Sequence, residues 1–226
     1  MFVALEGIDG AGKNTLCQGL LSRARGAGLS AERLSFPRYE ETAFGGLVGQ
    51  YLNGAFGGLD QVSPYFSALL YAGDRYESRN DIATALTQSD LMIADRYCAS
   101  NIAYNAAKLD EAERGRFIAH FDDIEHRAFG LPRPDLYVLL AIPPAMAAAL
   151  VARKAVRSYT DKAADLHEEN RDYLARCDAV YRQLASDQHG TPWQVVDIVD
   201  NDGQLRSADA IADEVWAALA AGLAQD

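Results

Sequence analysis

Two kinds of hydrophobic pattern alternate along the chain. Short runs of β type, two of them nearly continuously apolar, predict five strands, at residues 2–6, 30–36, 91–95, 136–142 and 194–199. Longer stretches, in which apolar residues recur at helical spacing, predict helices at residues 13–27, 63–86, 110–129, 144–156, 165–184 and 207–219. Gly28 and Ser207 support two of these boundaries, because glycine commonly follows the end of a helix and serine commonly begins one.

The alternation of strands with helices predicts an α/β fold. Nearly continuous apolar strands are typical of parallel sheets that are covered on both faces. Strands joined through helices make right-handed crossovers, so we expect a three-layer sandwich around a five-stranded parallel sheet. The chain has 226 residues and no repeat or low-complexity linker, which indicates a single domain over residues 1–226.

Composition excludes several classes of protein. Hydrophobic residues make up 49% of the chain and charged residues 23%, as in globular domains. No apolar run reaches the roughly 20 residues that a membrane helix needs, and no basic segment precedes the first apolar run, so we expect neither membrane span nor signal peptide. The three cysteines are far apart, which favours reduced thiols and a cytoplasmic location.

The net charge of −11 bears on the choice of partner. An acidic surface repels nucleic-acid polymers and anionic membranes, so neither is an expected partner. More than half of the acidic excess lies from Asp197 onward, close to the end of the last predicted strand. A small anionic ligand therefore requires a local cluster of positive groups elsewhere in the chain.

The first predicted strand leads into a phosphate-binding motif. Residues 7–15, GIDGAGKNT, match G-x-x-x-x-G-K and lie between a strand and a helix, which is the context that this motif requires. Its glycines let backbone N–H groups surround a phosphate, and its lysine reaches the β and γ oxygens. The predicted nucleotide-binding residues are Gly7, Gly10, Ala11, Gly12, Lys13, Asn14 and Thr15.

Asn14 departs from the motif, which usually has serine or threonine there to hold Mg²⁺. We therefore expect nearby carboxylates to contribute more to metal binding. A switch GTPase is disfavoured, because the chain has no Asn-Lys pair to read guanine and its D-x-x-G sequence, at residues 200–203, follows the last strand. The motif alone leaves an ATPase and a small-molecule kinase open.

Polar residues also follow the third predicted strand. Asp95 and Arg96 stand at its carboxyl end, which in an open α/β sheet faces the ligand crevice. A carboxylate there can hold a metal-bound water, and an arginine can bind a phosphate with two hydrogen bonds.

A basic cluster follows the fourth predicted strand. It includes Arg153, Lys154 and Arg157, and we interpret residues 153–165 as a lid that brings cations to the phosphates. Phosphoryl transfer spreads negative charge over oxygens that such cations stabilise. Arg153 and Arg157 are four residues apart, so they share one face of the predicted helix.

In combination these motifs resemble the thymidylate kinases. The resemblance rests on FVALEGIDGAGKNTL at residues 2–16, FPRY at 36–39, YAGDR at 71–75 and the DRY-x-x-SN-x-x-Y pattern at 95–104, in this order and spacing. It implies a P-loop kinase fold and a homodimer. The implied reaction transfers the γ-phosphoryl group of ATP to dTMP with Mg²⁺, giving dTDP.

The resemblance also implies roles in the acceptor site. Arg75 is similar to the arginine that binds a thymine carbonyl, Tyr71 to the aromatic residue, usually Phe, that stacks on the base, and Asn101 to the residue that reads N3. Tyr104 is similar to the ring that crowds the 2′ position, and Arg96 to the arginine that clamps the phosphate. The implied dTMP-binding set is Asp9, Phe36, Arg38, Tyr39, Tyr71, Arg75, Arg96, Asn101 and Tyr104.

On the donor side, thymidylate kinases have a catalytic arginine either in the phosphate loop or in the lid. Gly10 and Ala11 occupy the loop positions, so the resemblance implies a lid arginine. The expected catalytic residues are Lys13, Arg96, Arg153 and Arg157. Residues 165–168, DLHE, are similar to a D-x-Y-E segment with His167 in place of tyrosine. The expected metal ligands are Asp9, Asp95, Asp165 and Glu168.

Two other functions stay open. A kinase of the same fold that acts on another deoxynucleoside monophosphate, such as dUMP or dGMP, would share most of these residues. A regulatory module that binds ATP without transferring phosphate would account for Asn14 and His167. For the kinases no protein general base is needed, because a phosphate monoester with a second pKa of ~6 is largely dianionic at neutral pH.

Overall fold

A single parallel sheet organises the computed structural model, which describes residues 1–151 and 171–223. Its strands are β1 (Phe2–Glu6), β2 (Ala31–Ser35), β3 (Leu91–Asp95), β4 (Leu136–Ala141) and β5 (Trp193–Asp197). They are arranged in the order β2-β3-β1-β4-β5, with Leu5 paired to Asp95 on one side and to Val138 on the other. Every residue of β1 is buried, so this strand is covered on both faces, and the predicted three-layer α/β architecture is confirmed.

Helices connect and cover the strands. In the described residues they are α1 (Lys13–Gly26), α2 (Ala43–Leu52), α3 (Pro64–Glu77), α4 (Arg79–Gln88), α5 (Cys98–Ala106), α6 (Glu111–Asp122), α7 (Pro144–Val151), α8 (Arg171–Ser186) and α9 (Ala208–Leu223). None of these is both long and apolar enough to cross a membrane. Gly28 has a φ of +78° after α1, and Ser207 Oγ accepts the Ala210 N–H at 3.2 Å before α9, as predicted.

The structure differs from the predicted helices at three places. The predicted helix 63–86 is two helices, because Ser78 interrupts it and its hydroxyl donates to the Asp74 carbonyl at 2.9 Å. The end of the predicted helix 110–129 is π-helical over Asp123–Ala128. Helices α2 and α5 were not predicted, since α2 contains three glycines and every residue of α5 is buried, which removes the amphipathic pattern.

Helices α2 and α3 pack closely and shape one wall of the site. At Gly73, on α3, a Cβ atom would lie 2.5 Å from the ring of Phe44 on α2, so only glycine permits this contact. Thr42 caps α2 by accepting the Gly45 N–H at 2.8 Å, and its hydroxyl donates to the buried Asp74 carboxylate at 2.5 Å. Burial raises the pKa of Asp74. These contacts fix α3, and with it the side chains that face the cavity.

Candidate active site

A cavity opens at the carboxyl ends of β1, β2 and β3. Its lining comes from the loops after these strands and from α2, α3 and α5, and consists of Asp9, Phe36, Pro37, Tyr39, Leu52, Tyr71, Arg75, Arg96, Ser100, Asn101 and Tyr104. Every predicted dTMP-binding residue except Arg38 is in this set. Residues from five separate stretches of sequence therefore meet where parallel α/β sheets bind ligands.

Arg38 lies outside this lining. Its guanidinium is paired with the carboxylates of Glu41 and Asp81, the second at 2.5 Å, and its backbone N–H donates to Asp74 at 3.1 Å. These pairs raise the pKa of Arg38 although burial opposes the charge. Its role as a phosphate clamp remains a prediction.

The phosphate loop has the strained backbone that its glycines permit. Gly7 has a φ of +135°, and a Cβ atom there would lie 2.7 Å from the carbonyl oxygen of Leu140. The Lys13 ammonium folds back over the loop and donates to the carbonyls of Gly7 at 2.9 Å and Ile8 at 3.1 Å. Burial, and secondly the charge of Arg96, lowers the pKa of Lys13 to about 8.

Arg96 stands at the centre of the polar side of the cavity. Its φ of 69° lies in the left-handed region, which is rare for a residue with a Cβ atom and is concentrated at functional sites. Its guanidinium donates to Asp9 Oδ1 at 2.7 Å, Ser100 Oγ at 3.2 Å and Tyr104 OH at 3.3 Å. Burial alone would lower the pKa of Arg96, but Asp9 holds it well above its usual value.

Glu6 supports this cluster from below and was not identified from the sequence. Its fully buried carboxylate accepts hydrogen bonds from the Tyr97 N–H at 2.9 Å, Ser100 Oγ at 2.5 Å and Tyr181 OH at 2.9 Å. Burial raises the pKa of Glu6. The available signal was a lone carboxylate that ends an otherwise apolar strand.

The opposite end of the cavity is organised by a buried ion pair. Arg75 donates from Nε and Nη2 to the two oxygens of Glu125, at 2.6 and 2.8 Å. Burial opposes the charge of Arg75, but Glu125 raises its pKa above the usual value. The third nitrogen, Nη1, has no hydrogen-bond partner among the described residues, so it is available to a ligand carbonyl. Glu125 was not predicted, because no local motif connects it with an arginine 50 positions earlier.

Arg33, on β2, joins the two residues at which metal binding was in question. Its guanidinium donates to Asn14 Oδ1 at 2.6 Å and to Asp95 Oδ2 at 2.7 Å. Asp95 Oδ1 receives no hydrogen bond from the described residues. Arg33 was not predicted as a site residue, since arginine on an edge strand is usually a solvated surface residue.

Carboxylates of the predicted metal set suit Mg²⁺ in chemistry. Asp9 and Asp95 supply the oxygen ligands that Mg²⁺ prefers, and such sites commonly combine one or two carboxylates with substrate phosphates. Within residues 1–151 and 171–223, no three His, Cys, Asp or Glu side chains form a metal cluster on their own. Asp165 and Glu168, together with Arg153 and Arg157, lie outside the described residues.

A second, mainly apolar cavity adjoins the phosphate loop. Its walls include Leu140, Leu150, Ile198, Leu205 and Ile211, and it reaches loop residues 10–12 and Thr15. The nearby D-x-x-G sequence makes a turn, in which Asp200 Oδ1 accepts the Gln204 N–H at 2.8 Å. This local turn accounts for the sequence without a guanine-binding role.

The fold has solved relatives. A thymidylate kinase from Candida albicans superposes with a TM-score of 0.72 at 24% sequence identity, over 98% of this chain and 91% of that chain. At this level of identity the likeness concerns the fold.

Sequence comparison establishes the family. The family model described as Thymidylate kinase matches residues 5–206. A thymidylate kinase from Mycobacterium tuberculosis is 38% identical over 213 residues, which cover 94% of this chain and 99% of the relative. Another from Xanthomonas euvesicatoria is 34% identical over 235 residues, which cover 100% of this chain and 88% of the relative. The chain belongs to the thymidylate kinase family.

Proposed function

We propose that this chain transfers the γ-phosphoryl group of ATP to dTMP, giving ADP and dTDP. The observation that carries the proposal is that one cavity is lined at one end by Arg75, whose Nη1 has no hydrogen-bond partner among the described residues, and at the other by Arg96 beside the phosphate loop. A nucleoside monophosphate has matching ends, a base carbonyl and a dianionic phosphate.

In this proposal the acceptor lies along the cavity. Tyr71 and Phe36 contact the base, and Tyr104, whose hydroxyl donates to Asp9 at 2.9 Å, lies beside the sugar. Arg96, with Tyr39 nearby, binds the acceptor phosphate. The acceptor oxygen is already charged, so catalysis consists of positioning and of neutralising charge.

The donor occupies the phosphate loop. Lys13 exchanges its two carbonyl partners for ATP oxygens, and the apolar second cavity receives the adenosine. The expected lid cations, Arg153 and Arg157, would add positive charge around the transferred phosphoryl group. Arg38 would do the same if it separated from Glu41 and Asp81.

The carboxylates Asp9 and Asp95 would hold Mg²⁺ with the ATP phosphates, assisted by Asp165 and Glu168. When bound, Mg²⁺ neutralises charge on the transferring group. In the protein without ligands, the hydrogen bonds from Arg33 restrain Asp95 and Asn14, so both side chains are ordered before nucleotide and metal bind.

We also infer that the chain works as a cytoplasmic homodimer. Helix α3 and the preceding loop expose five large apolar residues, Phe56, Tyr65, Phe66, Leu69 and Tyr76, and such patches are typical of protein interfaces. Sedimentation equilibrium would give twice the chain mass for a dimer and the single chain mass otherwise. The buried thiols Cys17, Cys98 and Cys177 suit a reducing compartment.

The proposal is tested by release of ADP from Mg-ATP with a panel of nucleoside monophosphates. We expect the highest kcat/KM with dTMP. A higher value with another deoxynucleotide would identify a kinase of different specificity. Turnover of none of them, with ATP binding retained, would favour the regulatory module.

A further inference from the structure

A buried chain of hydrogen bonds runs behind the base end of the cavity. Lys108 Nζ donates to Asn105 Oδ1 at 2.9 Å, and Ser67 Oγ donates to the same oxygen at 2.7 Å. Asn105 Nδ2 then donates to Asn101 Oδ1 at 2.9 Å. Asn101 Nδ2 in turn donates to Glu125 Oε1 at 2.7 Å. None of these contacts serves the proposed chemistry directly.

The two ends of this chain give it a direction. The Lys108 ammonium only donates, and besides Asn105 it donates to Ser67 Oγ at 3.1 Å and to Tyr51 OH at 2.7 Å. The Glu125 carboxylate, paired with Arg75, only accepts. Burial lowers the pKa of Lys108 to about 7. When the Lys108 amine is neutral, the Glu125 carboxylate still imposes the same orientation on the two asparagine amides. Both asparagine amides are therefore held in one of their two orientations.

The direction determines what Asn101 can offer to a ligand. Both hydrogens of its Nδ2 are used, one by Glu125 and the other by the Ala68 carbonyl at 3.1 Å. Its Oδ1 accepts from Asn105 and has a second lone pair. Asn101 and Arg75 both line the cavity and both donate to Glu125 Oε1. The acceptor Oδ1 of Asn101 therefore lies near the Arg75 guanidinium at the cavity wall.

We propose that Asn105, anchored by Lys108 and Ser67, is a positioning residue that makes this site select pyrimidines with an N–H beside a carbonyl. Thymine and uracil present that pattern at N3 and O4, whereas cytosine presents the reverse. The proposal rests on the proposed function, since it requires the base to lie in this cavity.

The decisive variant is Asn105→Asp. The new carboxylate still accepts from Lys108 and Ser67, but it turns an acceptor instead of an N–H toward Asn101 Oδ1. The repulsion between these oxygens opposes the orientation in which Asn101 Nδ2 donates to Glu125 and Ala68. We expect the ratio of kcat/KM for dTMP to kcat/KM for dCMP to fall about tenfold or more, mainly through KM for dTMP. The value for dUMP should fall together with that for dTMP. Asn80→Asp, the same change at an exposed position of α4, is the matched control and should leave the ratio unchanged.

A ratio for Asn105→Asp within about twofold of the wild type, or equal losses for dTMP and dCMP, would overturn the proposal. Lys108→Met keeps Ser67 as an anchor, so we expect a smaller fall in the same ratio; no fall would remove Lys108 from the proposal.

If a variant fails to fold, a measurement on the wild-type protein still tests the proposal. In NMR spectra the Asn105 Hδ2 protons should be slow to exchange and the Asn101 Hδ2 protons should lie near Glu125. Asn101 Hδ2 protons that lie near Asn105 instead would contradict the direction. If the wild type does not phosphorylate dTMP, the proposed function fails, whereas the NMR result still reports on the chain of hydrogen bonds.

Discussion

Two arginines line the same cavity, each is paired with a carboxylate, and the two pairs differ in permanence. Arg75 and Glu125 share two hydrogen bonds and expose 2% and 0% of their side chains. Arg96 and Asp9 share one and expose 16% and 27%. Water cannot take the place of either partner in a buried ion pair. In an ion pair at the cavity surface, by contrast, a ligand can replace one partner.

The difference indicates two ways to recognise a nucleotide. At the base end of the proposed site, Glu125 neutralises the charge of Arg75 permanently and leaves only Nη1 for a ligand. Recognition there would depend on hydrogen-bond geometry. At the phosphate end, a phosphate dianion can replace Asp9 as the partner of the Arg96 guanidinium. In the proposed binding mode, the neutral base would thus meet an arginine whose charge is already neutralised. The charged phosphate would meet an arginine that can exchange its carboxylate partner.

Glu125→Gln tests the permanent pair and should have the largest effect on stability. It leaves Arg75 buried without a counter-charge, and we expect the free energy of unfolding in urea to fall by about 3–5 kcal/mol. Asp9→Asn, the matched change at the other pair, should cost at most about 1 kcal/mol, because Arg96 is accessible to water. Similar losses for the two variants would contradict the distinction.

Tyr104→Phe tests the exchangeable pair with a smaller expected effect. The hydroxyl that joins Asp9 and Arg96 is lost while the ring remains. We expect about 1 kcal/mol weaker binding of dTMP in a titration calorimeter, in line with one hydrogen bond. An unchanged affinity would show that the hydroxyl does not help to place Arg96.

The pH dependence of ATP binding should be of similar size over the first pH unit above the pKa of Lys13. Lys13 has a pKa of about 8 before ATP binds, and ATP phosphates would raise that pKa. The free protein therefore loses the Lys13 proton as pH rises above 8, and binding must restore it. We expect ATP affinity to fall by up to about tenfold per pH unit above that value, with proton uptake measured calorimetrically in buffers of different ionisation enthalpy. Binding at pH 8–9 without proton uptake would contradict this.

Sequence predicted those parts of the molecule whose signals are local. The five strands were placed within one or two residues of their observed bounds. The signal was strongest for β1, β3 and β4, because these buried parallel strands are nearly continuous apolar runs. Most cavity residues were found since they cluster in short motifs after strands. Helix α5 was not predicted, because all of its residues are buried and it has no exposed polar face.

Partners that are distant in sequence were not predictable in the same way. Glu125 and Arg33 matter only because folding brings them to Arg75 and to Asp95, and nothing in their own neighbourhoods distinguishes them from surface charges. The same holds for Glu6, which accepts from three donors, one in the turn between β3 and α5, one in α5 and one in α8. Motifs thus identify ligand-facing residues better than the residues that hold them.

Calorimetric binding of dTMP and of thymidine to the wild type and to Arg96→Ala tests the central distinction most directly. If Arg96 exchanges Asp9 for the acceptor phosphate, the variant should bind thymidine as the wild type does and lose about 2–5 kcal/mol of dTMP affinity. Equal weakening of the two ligands, or unchanged dTMP affinity, would contradict the account.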